Sequence, residues 1–304
     1  MNHSINDKFL QSYFVESETL QSMEKVLHWL YSKRESVTVD VQQIPISQMN
    51  QWTYNKEEGR IKHSSGKFFS IDGIRVHTNY GIKSTWDQPI INQPEIGFLG
   101  ILTQMKNGVL HFLLQAKIEP GNINIVQLSP TLQATKSNYT RVHKGKTPIF
   151  LEYFNGEKKV EILVDQLQSE QGARFFKKRN RNIIVEIPKD EILNIPDNFI
   201  WLTLRQIKDL MSMDNVVNMD TRTVISAINY GNFERSETLL NCTSSILKRQ
   251  SEQIYSLLSE NKPLLNIENI ISWMTNLKSK YELLVERVPL NSISDWTFDG
   301  NTVY

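Results

Sequence analysis

The chain has 304 residues, 39% hydrophobic and 22% charged, enough for one large domain or two small ones with real cores. Lys and Arg number 34 against 33 Asp and Glu, a net charge of +1, so no bulk field attracts nucleic acid or an anionic membrane and any anion site must be local. A single cysteine, Cys242, excludes an internal disulfide and multi-cysteine zinc sites, and no apolar run approaches the roughly 18 residues a bilayer demands, so the expectation is a cytoplasmic protein with no membrane partner.

In chain order, residues 14 to 36 carry apolar side chains at helical spacing and predict an amphipathic helix. From about 60 to 187, Gly66, Gly73, Gly81, Pro89, Pro94, Gly108, Pro120, Gly121 and Pro130 punctuate short apolar stretches, the signature of a sheet-rich core. Helical periodicity returns at 203 to 213, 220 to 228 and 236 to 260, then again at about 265 to 284.

Alternation along His111–Glu119 sends Gln115, Lys117 and Glu119 to one face and Phe112, Leu114, Ala116 and Ile118 to the other. Gln127, Ser129, Gln133 and Thr135 oppose Val126, Leu128, Leu132 and Ala134 in the same way. A solvated antiparallel face would look similar, but the richness in neutral donors and acceptors suits a polyhydroxylated ligand. Two cationic stretches follow: Thr135–Gly145, with Ser137, Asn138, Tyr139, Arg141 and His143, and Phe176–Asn182, with Arg179, Asn180 and Arg181. A guanidinium fork fits phosphate oxygens, so these clusters predict a diphosphate clamp, whereas Lys177 and Lys178 alone read as a solvated charge run.

Residues 24–55 align without a gap beneath 268–299, an offset of 244. Trp29 meets Trp273, Pro45 meets Pro289, Trp52 meets Trp296 and Thr53 meets Thr297. A self-match of this length signals a duplicated unit. The expected organisation is a first unit over 1–235, a linking helix over 236–262, and the opening segment of a second, incomplete repeat over 263–304.

The segments HSSGKFFSIDGIRV (63–76), WDQPIINQPEIGFLGIL (86–102), HFLLQAKIEPGNINIVQLSPTLQATKSNYTRVHKG (111–145), LQSEQGARFFKKRNRN (167–182) and WLTLRQIKDLMSMDNVVNMDTRTV (201–224) together resemble the NDP-hexose 2,3-dehydratase family. The resemblance implies an α+β fold: a Nudix-like mixed β-sheet core flanked by helices, with a helical C-terminal extension. It also implies two such units in tandem, so that the opening of a second repeat here leaves three readings: an active dehydratase that dimerises, an inert nucleotide-sugar binding module, or a piece of a longer chain. Asp165–Gly172 is a weak echo of the helix that carries the Nudix carboxylates, keeping only Leu167, Glu170 and Gly172, so a metal held by several carboxylates is not expected.

The implied substrate is a dTDP-4-keto-6-deoxyhexose, dehydrated across carbons 2 and 3 to a 3,4-diketo-2,6-dideoxy sugar that a downstream ketoreductase would consume. Elimination followed by tautomerisation moves no net electrons, so no cofactor is expected, and no GxGxxG loop follows a strand. The candidate acids and bases are Lys117, Glu119, Tyr139 and His143, all in the densest polar block. The candidate binders are His63, Trp86, Gln115, Gln133, Ser137, Asn138, Arg141, Gln168, Glu170, Arg179, Asn180 and Arg181. Structural alternatives stand beside several of these: His63 as a turn cap, Trp86 as core, Glu119 as an anchor of its turn and His143 as a loop histidine bonded to backbone.

Overall fold

The structure, a computed structural model, describes residues 5–15, 20–135, 147–229 and 265–304. The chain divides into two units that interleave in sequence: residues 1–41, 96–168 and 180–257 form the first, and 42–95, 169–179 and 258–304 the second.

The first unit is built on strands β5 (Gly97–Lys106), β6 (Val109–Ile118), β7 (Val126–Ser129), β8 (Leu132–Ala134), β9 (Glu161–Ser169), β10 (Arg179–Glu186) and β11 (Phe199–Thr203). Their order is β11-β6-β5-β10-β9, with β7 beside β6 and β8 beside β5. β10 runs parallel to β5, while β11, β5 and β7 pair antiparallel with β6, so the sheet is mixed. The α+β class expected from the sequence is what folds.

Both faces of this sheet are covered, and the alternation of β6 sorts its side chains between them. Leu110, Phe112, Leu114 and Ala116 join a cluster with Phe9 of α1 (Ile5–Phe14), Val26 and Leu30 of α2 (Met23–Glu35), Leu204, Ile207 and Leu210 of α3 (Leu204–Met211), and Val224 and Ile225 of α4 (Met219–Ser226). Leu113 faces the other way, into a cluster with Leu102, Leu132, Phe150, Phe154, Ile183 and Val185. Each fully buried Leu or Phe contributes about 1.5–3 kcal/mol, so the two clusters dominate the stability of this unit. Gly100 on β5 makes room for the second cluster: a β-carbon there would lie 2.5 Å from the Phe154 ring.

Helix ends are closed locally. Ser22 caps α2 by accepting from Lys25 N, and Thr203 and Gln206 form a reciprocal capping box at the start of α3. Buried Ser12 stitches elements together, donating to the Leu110 carbonyl and accepting from Leu204 N. The single helix expected over 14–36 begins only at Met23, preceded by the separate α1; the helices expected at 203–213 and 220–228 are α3 and α4. The linking helix expected at 236–262 lies outside the described residues.

The second unit carries an antiparallel sheet of β1 (Trp52–Asn55), β2 (Arg60–His63), β3 (Ser70–Thr78), β4 (Thr85–Asn92) and β12 (Leu283–Val288), in the order β1-β2-β3-β12 with β4 on β3. The C-terminal helix α5 (Ile267–Lys280) precedes β12. Asp87 on β4 is buried and accepts a two-pronged pair from Arg75 at 3.0 and 2.9 Å as well as the Ser294 amide at 2.9 Å. That cation and those donors hold its carboxyl down at about 2.

Candidate functional site

The polar end of β6 in the first unit gathers three predicted residues. Lys117 Nζ stands 3.2 Å from Glu119 Oε1, and Gln133 Nε2 donates to the same oxygen at 2.9 Å. Register explains how residues 14 positions apart meet, because β7 lies beside β6 and β8 beside β5. The backbone of Glu119 roots its turn, receiving Asn122 N and donating to the Ile125 carbonyl, so the turn-anchoring alternative holds for its main chain while its carboxylate serves the cluster. Gln115 is spent on the Pro130 carbonyl at 3.0 Å, and Gln127 on Asn124 Oδ1.

Strand pairing extends this cluster with amides. Gln133 and Asn182 flank Leu99 in register on its two sides, so the three side chains share one face of the sheet. Gln133 Oε1 and Asn182 Oδ1 are both buried with no hydrogen-bond partner among the described residues. Asn182 is fully buried, and its amide nitrogen donates to the Asn180 carbonyl at 3.3 Å. One row further along, Asn180 pairs with Gly97, where a β-carbon would lie 3.0 Å from Asn180 Oδ1 and 3.2 Å from the Ala134 carbonyl oxygen. Buried acceptors of this kind cost about 1–3 kcal/mol each unless something donates to them.

Asn182 was not among the sequence candidates. The signal for it lay in the alternation of Arg179-Asn180-Arg181-Asn182 leading into Ile183-Ile184, where a polar side chain shares the face of buried Ile184.

A cavity of about 360 Å³ opens against the same strand, lined by Gln115 and Lys117 with Lys33, Asp197 and Asn198. Lys33 and Asp197 are ion-paired at 2.7 Å, so Lys117 belongs both to that cavity and to the Glu119 cluster.

The cations expected to clamp a diphosphate separate. Arg181 makes a two-pronged pair with Asp165 at 2.8 and 2.7 Å and stands over the Phe98 ring, its guanidinium fork already filled. The Arg179 side chain makes no hydrogen bond or ion pair with the described residues. Lys178 corrects the reading of a solvated charge run: it is buried, donates to the Glu95 carbonyl, and burial lowers its pKa, whereas Lys177 is exposed.

His63, Trp86 and Glu170 belong to the second unit. His63 bonds Ser65 Oγ at 2.8 Å and packs edge-on to Trp52 and Phe68, closing the turn to Gly66. Trp86 packs beside Ile74, Val76 and Ile90, with its indole nitrogen on Gln88 at 2.9 Å, the core arrangement rather than an open stacking face. Gln168 bonds Gln166, and the backbone amide of Glu170 donates to the Lys178 carbonyl. The echo of a carboxylate helix at 165–172 does not fold as one: Glu161–Ser169 is strand β9. Ser137, Asn138, Tyr139, Arg141 and His143 lie outside the described residues. Among the described residues no group of three or more His, Cys, Asp or Glu could hold a metal ion, and no helix is long and apolar enough to cross a membrane.

Residues 23–228 match the family model described as NDP-hexose 2,3-dehydratase. The chain belongs to this family. It is 42% identical over 268 residues to a dTDP-4-dehydro-6-deoxy-alpha-D-glucopyranose 2,3-dehydratase of Saccharopolyspora spinosa, covering 88% of this chain and 54% of that protein. Enzymes of the same name from Amycolatopsis orientalis and Streptomyces violaceoruber are 37% and 35% identical, over 97% and 90% of this chain and 58% and 57% of theirs. The chain therefore spans a little over half the length of the relatives it matches. Among solved structures, an ADP compounds hydrolase aligns with 62% of this chain and 95% of its own at 12% identity and a TM-score of 0.35, a likeness too slight to bear on fold or chemistry.

Proposed function

We propose that this chain carries the dehydratase chemistry of its family, removing water across carbons 2 and 3 of a dTDP-4-keto-6-deoxyhexose. The observation that supports this most is the Lys117–Glu119–Gln133 cluster beside two orphan amide oxygens. The 4-ketone acidifies the proton on carbon 3, and Glu119 is the base that takes it. Lys117, held against Glu119, supplies positive charge where the enolate oxygen develops. The enolate then collapses, its electron pair forming the carbon 2–carbon 3 double bond as the carbon 2 hydroxyl leaves as water, protonated by Tyr139 or His143. The resulting enol tautomerises to the 3,4-diketo sugar. Carbon 3 is oxidised and carbon 2 reduced within one molecule, so the step balances without a hydride carrier.

Gln133, Asn180 and Asn182 offer carbonyl oxygens and amide protons to the sugar hydroxyls, and Arg179 and Arg181 with Arg141 are assigned to the diphosphate. A downstream ketoreductase is the partner that consumes the reactive diketone, and a homodimer is the assembly in which two such units would work.

The test is to incubate the purified protein with dTDP-4-keto-6-deoxyglucose and a trapping ketoreductase and to look for the reduced 2-deoxy sugar by mass. Product formed by the parent and lost in Glu119→Gln supports the assignment. Measurable dTDP-sugar binding without product would sink it.

A further inference from the structure

The ladder between β6 and β11 stops short at the polar end of β6. Ala116 N donates to the Asn198 carbonyl at 2.8 Å, and β11 begins one residue later, at Phe199 opposite Gln115. Backbone groups of residues two apart on a strand point to the same side, so the N–H of Ile118 faces where Ala116 faces. β7 lies on the other side: Val126, opposite Ile118, turns its own carbonyl away to Arg34 Nε at 3.1 Å. Among the described residues nothing donates to the Ala116 carbonyl and nothing accepts from Ile118 N. The next residue on that side, Pro120, has no N–H to offer.

This open rung lies in the cavity of about 360 Å³, whose lining includes both Ala116 and Ile118. The end of α2, with Lys33, Ser36 and Val37, walls it on one side, and Asp197 and Asn198 wall it on another. Asp197 is fixed there, its carboxylate on Lys33 at 2.7 Å and its carbonyl accepting from Trp29 Nε1 at 3.1 Å. An extended peptide that adds to a sheet edge uses several successive rungs, and a single walled rung does not admit one. A small planar ring with a donor beside an acceptor on one edge fits it: the Ala116 carbonyl takes the donor, and Ile118 N–H serves the acceptor. Val37 and buried Val126 supply apolar walls for the faces of such a ring.

We infer that this edge reads the base of the sugar nucleotide, the Ala116 carbonyl accepting the N3–H of thymine and Ile118 N–H donating to the adjacent ring carbonyl. The inference rests on the dTDP-sugar substrate proposed above, which selects thymine among the bases that carry such an edge. Lys117 lines the same cavity and reaches Glu119 at 3.2 Å, so one residue of β6 joins the base site to the proposed reaction centre. Both reading contacts are main-chain groups, and no particular side chain announces them in the sequence.

The experiment titrates the 304-residue chain with dTDP and with its N3-methyl derivative, by calorimetry and by the amide spectrum of isotope-labelled protein. dTDP should bind and move the Ile118 amide downfield as that N–H gains an acceptor. Methylation of N3 should weaken binding at least tenfold, because it leaves the Ala116 carbonyl desolvated without a donor. Val37→Trp, which fills the cavity, should weaken dTDP by a similar factor, and if that variant does not fold the N3-methyl comparison decides alone. Equal affinity for the two nucleotides, an Ile118 amide unmoved at saturation, or no binding of dTDP overturns the inference. Turnover of the dTDP-sugar with Ile118 unmoved sinks the base site alone. An Ile118 shift with N3-methyl discrimination but no turnover upholds the base site and sinks the dehydratase reading alone.

Discussion

Gln133 donates to Glu119 Oε1 across 2.9 Å, and Lys117 approaches that same oxygen to 3.2 Å. One carboxylate oxygen is thus held by two donors. Glu119→Gln should lower turnover by about 10²–10⁴-fold, the usual contribution of a positioned base. Sugar-nucleotide affinity by calorimetry should stay within a few-fold, and a parallel loss of binding would mean that Glu119 orients substrate rather than deprotonating it.

Asn182 is buried with an unpaired amide oxygen, so Asn182→Leu should keep or raise the melting temperature, since a near-isosteric apolar side chain removes an unsatisfied acceptor. If that oxygen serves the sugar, affinity for the complete sugar nucleotide should fall about tenfold while affinity for dTDP alone is kept. Unchanged sugar affinity would reduce Asn182 to a packing defect.

Arg179 and Arg181 lie on one face of β10, but Asp165 already holds Arg181 by both prongs. Arg179→Ala should weaken dTDP binding with a reduced dependence on salt, as expected when one phosphate contact is lost. Arg181→Ala should weaken it less, because the pair must first open. The reverse order, by titration calorimetry at two salt concentrations, would reassign the clamp.

Asp87 carries a carboxyl held at about 2, below its ordinary value of 3.8, by Arg75 and the Ser294 amide. A depressed carboxylate stabilises the fold fully above 3.8 and loses that contribution as pH falls toward 2. Acid unfolding should therefore set in through this interval, and Asp87→Asn should shrink the pH dependence there in a melting series. A series unchanged by the substitution would deny Asp87 that role.

Gly100→Ala should destabilise the first unit by about 1–3 kcal/mol, because the added methyl would sit 2.5 Å from the Phe154 ring. Pairing it with Phe154→Leu should recover part of the loss in a denaturant titration.

Much of the sheet was legible because alternation is a local signal. Phe112, Leu114 and Ala116 enter one cluster as their spacing requires, and Lys117 and Glu119 stand together at the end of the same strand. The helix expected over 14–36 starts later, at Met23, because apolar spacing runs on into the separate helix α1, whose Phe9 packs against Phe112. The carboxylate-helix echo failed for a related reason: a short pattern match has no say against strand pairing, and Glu161–Ser169 is taken up as an edge of the sheet.

Sequence alone determined the family resemblance, the duplication at an offset of 244 and the residue types of the polar strand, because these are properties of order along the chain. Tertiary structure decided which of those residues meet. Asn182 reaches the Gln133 row only through the parallel pairing of β10 with β5, and Arg181 is claimed by Asp165, 16 residues away. The repeat likewise became informative only when β12 lay on β3 while its equivalent segment Val39–Ile44 formed no strand. Non-local pairing is set by the summed burial of whole strands, a quantity that no single segment of sequence contains.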